Sequence, residues 1–182
     1  MLRSAYRLGG KNGEVQQLGA TLTADTNAPK AERGEAHYYL GKSALAANDL
    51  EKARRSFNQV IRLTDNVYAA ESRYQVTYIY YLKRDLETAQ QLAINANQEI
   101  PEDYSYWLAK SIVLLGDIFS EKGDIFNAKA SLQSIIENYD GDEELIQEAK
   151  RKLAKLEELE SRNSLIAPES ESDDLEMDEG NQ

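Results

Sequence analysis

At 182 residues the chain is long enough to bury a core without disulfides or metal, and its lack of Cys removes thiolate zinc sites and cysteine nucleophiles together. A cysteine-free chain is tolerated in either redox environment, so composition leaves the compartment open. The net charge of −11 argues against nucleic acid, whose phosphates are bound by clustered Lys and Arg, and no apolar run approaches the roughly 20 residues of a membrane helix.

In chain order, Gly9-Gly10-Lys11-Asn12-Gly13 is a breaker without the pattern of a phosphate loop, and residues 14–24 read as a helix. Residues 1–27 look like a partial or degenerate unit. Met1 falls near the middle of that unit, which leaves open whether it is the native start or an upstream portion precedes it. From 28 to 160, apolar positions recur at three- and four-residue spacing between short polar turns, which makes the chain all-α. Pro29 and Pro101 each open a lengthened helix, since proline is tolerated in a first helical turn. Three turns, Asn48-Asp49, Arg84-Asp85 and Gly123-Asp124, each close one helix and open the next. Each Asp can accept a hydrogen bond from the free amides that follow it. Gly123 and Asn48 suit a left-handed backbone just past a helix end, and Arg84 suits it less.

With the turns in phase, other positions repeat as well. Leu40-Gly41, Val76-Thr77 and Leu115-Gly116 share one pair of positions; Ala53, Ala89 and Ala128 share another. Val60, Ala96 and Ile135 form a third column, and Phe57, Ala93 and Leu132 a fourth. Small residues facing each other let two helix backbones approach closely and fix one crossing geometry. After Asp140-Gly141-Asp142, a helix over 143–160 carries Leu145, Ile146, Ala149, Leu153, Leu156 and Leu159 on one face. From Ser161 the composition turns acidic, with Glu169, Glu171, Asp173, Asp174, Glu176, Asp178 and Glu179 opposed only by Arg162. Residues 161–182 therefore read as a disordered, solubilising tail.

The register resembles the tetratricopeptide repeat, two antiparallel helices in about 34 residues. Leu40-Gly41, Leu115-Gly116, Gly123-Asp124, the three alanines and Pro101 match that family's pattern. Thr77 and Arg84 replace its glycines, Asp65 and Asp140 its proline, and His37, Arg73 and Ile112 its aromatic residue. The resemblance implies a right-handed α-solenoid with units near 34–67, 70–103 and 109–142 and a capping helix over 143–160. The stretch 104–119 further resembles the last repeat of long multi-repeat proteins from bacteria of the Bacteroidota type, commonly exported. That favours the cell envelope if the chain is a fragment, and the cytoplasm otherwise.

The residues offer little catalytic chemistry. His37, the single histidine, reads as a core or groove residue, and the paired carboxylates fall in exposed segments where burial cannot raise a pKa. No catalytic residue, metal site or cofactor is expected. Among 11 tyrosines, Tyr38, Tyr74, Tyr78 and Tyr81 take first-helix positions that, by the resemblance, line the inner concave surface. Tyrosine combines a large apolar face with a polar tip, which suits a wet peptide groove; Tyr6, Tyr39 and Tyr80 are equally open to packing between helices. Trp107 reads as core. Lys42, Asp117 and Glu121 share the expected groove. The reading is a non-enzymatic scaffold holding a peptide or helix of a partner protein. The alternative is a structural terminal segment of a larger envelope solenoid whose upstream repeats bind.

Overall fold

The structure, a computed structural model, describes residues 12–166; residues 1–11, and with them most of the glycine breaker, lie outside it, as do residues 167–182 of the acidic segment. Among the described residues there are eight α-helices and no strand: α1 (Asn12–Ala24), α2 (Lys30–Ala46), α3 (Leu50–Leu63), α4 (Val67–Leu82), α5 (Leu86–Glu99), α6 (Ser105–Glu121), α7 (Ile125–Asn138) and α8 (Glu143–Ile166). A short 3-10 turn, Glu102–Tyr104, leads from Pro101 into α6.

The three hairpin turns are built alike. Past α2, the Asn48 amide donates to the Leu45 carbonyl and the Asp49 amide to Ala44; Arg84 and Asp85 donate to Tyr81 and Tyr80, and Gly123 and Asp124 to Ser120 and Phe119. This doubled closure satisfies carbonyls that the ending helix leaves open, and it requires a left-handed residue at its centre. Asn48, Arg84 and Gly123 supply it with φ of 57°, 63° and 79°. The next residue is then the N-cap of the following helix: the Asp49, Asp85 and Asp124 carboxylates accept from the amides of Lys52, Thr88 and Asn127 at 3.0, 3.2 and 3.1 Å. Two helix ends are thus satisfied in two residues, which is why the hairpins are tight and antiparallel.

The repeating columns form the core. Ala53, Ala89 and Ala128 are fully buried, as are Phe57, Ala93 and Leu132 and, beside them, Val60, Ala96 and Ile135. A Cβ at Gly41 would meet the Phe57 ring at 2.8 Å, and one at Gly116 would meet Leu132 Cγ at 3.0 Å. The absent side chain of one helix is filled by a large residue of its partner. In the middle hairpin the same two columns hold Thr77 and Ala93, both buried, so a larger first-helix residue is matched by a smaller second-helix one.

Successive first helices α2, α4 and α6 touch one another, and α6 touches α8, whereas each second helix packs mainly on its own and the following first helix. The first helices therefore line the inner side of a curved stack. Helix α8 runs to Ile166, beyond the expected end at Glu160, so the change of composition at Ser161 does not end the helix. Residues 161–166 contain neither Gly nor Pro to break a helix. Leu145, Ala149 and Leu156 of α8 are buried against α6 and α7.

Candidate functional site

The seven residues singled out by the sequence do not form one surface. Tyr38 is only 9% exposed and belongs to the core of the first hairpin, where its ring lies 4.6 Å from that of Tyr68, centroid to centroid, and 5.1 Å from that of Tyr39. Its hydroxyl donates to Glu71 Oε2 at 2.6 Å, while Lys42 Nζ donates to Glu71 Oε1 at 2.6 Å and Gln75 Nε2 to the same oxygen at 3.3 Å. A carboxylate this buried is stable only when paired and hydrogen-bonded, and three donors from two helices do that here. Tyr38 and Lys42 thus join the first unit to the second.

Tyr74, Tyr78 and Asp117 do come together, and Tyr81 joins them. They line a cleft of about 340 Å³ spanning α4, α6 and α8, completed by Lys110, Val113, Leu114, Leu145, Glu148 and Lys152. Spacings of four and three residues place the tyrosines on one face of α4. The Tyr78 ring stacks between its neighbours, 6.1 Å from Tyr74 at an interplanar angle of 6° and 6.3 Å from Tyr81 at 25°. All three rings are half-buried. Trp107 lies 5.6 Å from Tyr74 and is partly buried beside Ala70, Ala96 and Ile100.

Opposite the ladder the cleft is charged and balanced. Lys152 Nζ donates to both Asp117 oxygens, at 2.5 and 2.7 Å, and lies 3.3 Å from Glu148. Burial pushes the Asp117 carboxyl up, against the pull of Lys152. Lys110 Nζ stands 5.5 Å from the Tyr74 ring centroid, 5.6 Å from Tyr106 and 5.9 Å from Trp107, a cation held by three aromatic faces. Burial also raises the Tyr74 and Tyr81 hydroxyls above the ordinary tyrosine range. At the mouth, Glu121 accepts from Tyr81 at 2.5 Å and pairs with Arg84.

Sequence reasoning missed Glu71, Lys110, Glu148 and Lys152. Lys110 lies seven residues, two helical turns, before Asp117 and so on the same face, a signal that was there to use. Lys152 sits on the end helix, whose charges read as solvation, and meets Asp117 only because α8 packs where another first helix would. Among the described residues no group of acidic, His or Cys side chains is arranged to hold a metal ion, and no helix is long and apolar enough to cross a membrane.

The family model of the tetratricopeptide repeat matches residues 35–63 and 106–142, which are the hairpins α2/α3 and α6/α7. No curated protein matches the sequence. The unmatched middle hairpin is the one holding Thr77 and Arg84 at glycine positions, yet its turn, cap and buried columns repeat those of its neighbours. The chain is an all-α, tetratricopeptide-like helical-repeat solenoid.

Proposed function

We propose that the protein is a non-enzymatic scaffold that holds a peptide or helix of a partner protein against its inner face, in the cleft between α4, α6 and α8. Tetratricopeptide repeats are in general protein–protein interaction modules. The observation that carries the reading is the half-buried ladder Tyr74-Tyr78-Tyr81 facing Asp117, Glu148 and Lys152 across an open cleft. Stacked rings held by their own helix offer a large, rigid contact area that loses little entropy on binding. The facing charges are already paired, so a ligand need not strip an isolated ion of water.

The test is selection of random peptides displayed on phage against the full chain, with counter-selection on Y74A/Y78A/Y81A. Enriched peptides are expected to bind the parent and to lose at least tenfold in affinity on the variant, whose circular dichroism stays that of the parent. Peptides that bind both proteins equally would move the site elsewhere. A second reading, a segment of a longer envelope solenoid, draws on α1: it packs on α2 as a second helix packs on the next first helix, with Gly19 against Leu40. That reading expects no cleft-dependent peptide from the same selection.

A further inference from the structure

We propose that the segment held in the tyrosine cleft is a neutral, proline-rich stretch in the extended polyproline II conformation, an inference that rests on the scaffold reading above and names the chemistry of its partner. Tyr74, Tyr78 and Tyr81 line the cleft as near-parallel rings, over a floor that includes Val113, Leu114 and Leu145. Pyrrolidine rings pack on such aromatic rungs, and a polyproline helix presents them already ordered. With successive centroids 6.1 and 6.3 Å apart, the three rungs cover about four residues of that chain at roughly 3.1 Å each, the length of one PxxP unit. The cleft holds only about 340 Å³, so an occupant whose backbone is fixed beforehand by proline loses least on binding.

Three observations select this occupant over other peptides. The first is that the Tyr74 and Tyr78 hydroxyls have no hydrogen-bond partner among the described residues, whereas the Tyr81 hydroxyl donates to Glu121. A polyproline helix makes no internal hydrogen bonds, so its carbonyls are free to accept from those two hydroxyls. An α-helix has already spent its carbonyls on itself and would cover the hydroxyls without pairing them. The second is that no strand occurs among the described residues, so the cleft has no sheet edge to which a β-strand could be added. The third is charge. Lys110 and Lys152 balance Asp117 and Glu148 among the lining residues, and Lys152 is already paired with both carboxylates. Neither an acidic nor a basic segment meets a net opposite charge there, which favours a neutral one.

The test titrates the full chain with decaproline, acetylated and amidated so that its ends carry no charge. A capped glycine–serine decamer and a capped alanine-rich helical peptide are the controls. Isothermal titration calorimetry gives the affinities, and the fluorescence of Trp107, the single tryptophan and 5.6 Å from Tyr74, reports binding at the ladder. Decaproline is expected to bind saturably and at least tenfold more tightly than either control. Y74F/Y78F keeps the rings and removes the two unpartnered hydroxyls, so it should weaken decaproline at least threefold with unchanged circular dichroism. Y78A, at the centre of the ladder, should weaken it at least tenfold, while K129Q, on α7 and outside the cleft, should bind like the parent. Equal affinity for decaproline and either control would overturn the inference, as would an affinity undiminished in either ladder variant. If the helical control or proline-free phage peptides bind in a ladder-dependent way and decaproline does not, the polyproline assignment falls and the scaffold reading stands. If no peptide from either experiment depends on the ladder, both fall.

Discussion

Replacing Gly41 with alanine tests the packing that phases the repeats. The new Cβ would stand 2.8, 2.9 and 3.0 Å from three atoms of the Phe57 ring, against a comfortable carbon–carbon separation of about 3.5–4.0 Å. Phe57 is fully buried, so the ring cannot swing into solvent, and relief needs the two helices to part by most of an ångström. Overpacking of this kind costs about 1–3 kcal/mol, here toward the upper end, and the gain in helix propensity offsets about 1 kcal/mol. A net loss of roughly 1–2 kcal/mol is expected. At Gly116 the neighbours are Leu132 Cγ and Cδ2 at 3.0 and 3.1 Å, and a leucine can re-pack, so the same change should cost no more than about 1 kcal/mol. The decisive variant is G41T/F57A, which installs in the first hairpin the Thr and Ala of the second. F57A alone should cost about 3–5 kcal/mol by opening a cavity. In the double variant the threonine occupies part of that space, so the two changes should couple favourably by about 0.5–3 kcal/mol. Urea unfolding followed by circular dichroism gives the four stabilities. Strict additivity would refute the idea that these two columns exchange volume.

Three further outcomes follow from named contacts. Arg84→Gly should stabilise by roughly 1 kcal/mol, because a left-handed residue with a Cβ costs about 1–2 kcal/mol while an exposed pair with Glu121 contributes about 0–1; thermal unfolding reads the change. Glu71→Ala should cost about 2–4 kcal/mol and Tyr38→Phe only about 1, since the first strands the Lys42 ammonium and the Tyr38 and Gln75 donors and the second removes one bond; urea midpoints distinguish them. His37 has its pKa lowered by burial and then by Arg33, so its midpoint in the folded protein lies below 6.5. The unfolded chain takes up that proton first as pH falls, so stability should drop from about pH 6.5 downward to the folded midpoint, and His37→Gln should remove that part of the decline.

What the sequence disclosed was local or periodic. The Asp caps at 49, 85 and 124 and the left-handed residues before them depend on contacts within six positions, and the columns of small and large residues repeat at the period of the hairpin. Even the ill-fitting Arg84 was placed correctly by phase, because the turn's hydrogen bonding holds it there against its own preference. The partners of the tyrosines were not legible. Tyr38 meets Glu71 33 residues away and Lys152 meets Asp117 35 away, and no local rule tells which carboxylate a lysine will face. Tyr38 and Tyr74 occupy comparable positions on successive first helices, yet one is core and the other lines the cleft. The difference lies in the next helix: α4 brings Tyr68 and Glu71 over Tyr38, whereas α6 brings Lys110 over Tyr74 and leaves its ring half open.

The in-phase nesting of the hairpins is most directly read from proton–proton NOEs at the two glycines. Nesting in register places a Gly41 Hα against the Phe57 ring and a Gly116 Hα against the Leu132 methyls, so both cross-peaks should be strong and the Gly41 proton shifted by the ring. If either glycine instead shows its NOEs to residues outside these columns, the two hairpins are not copies of one packing unit, and the solenoid with its tyrosine cleft falls.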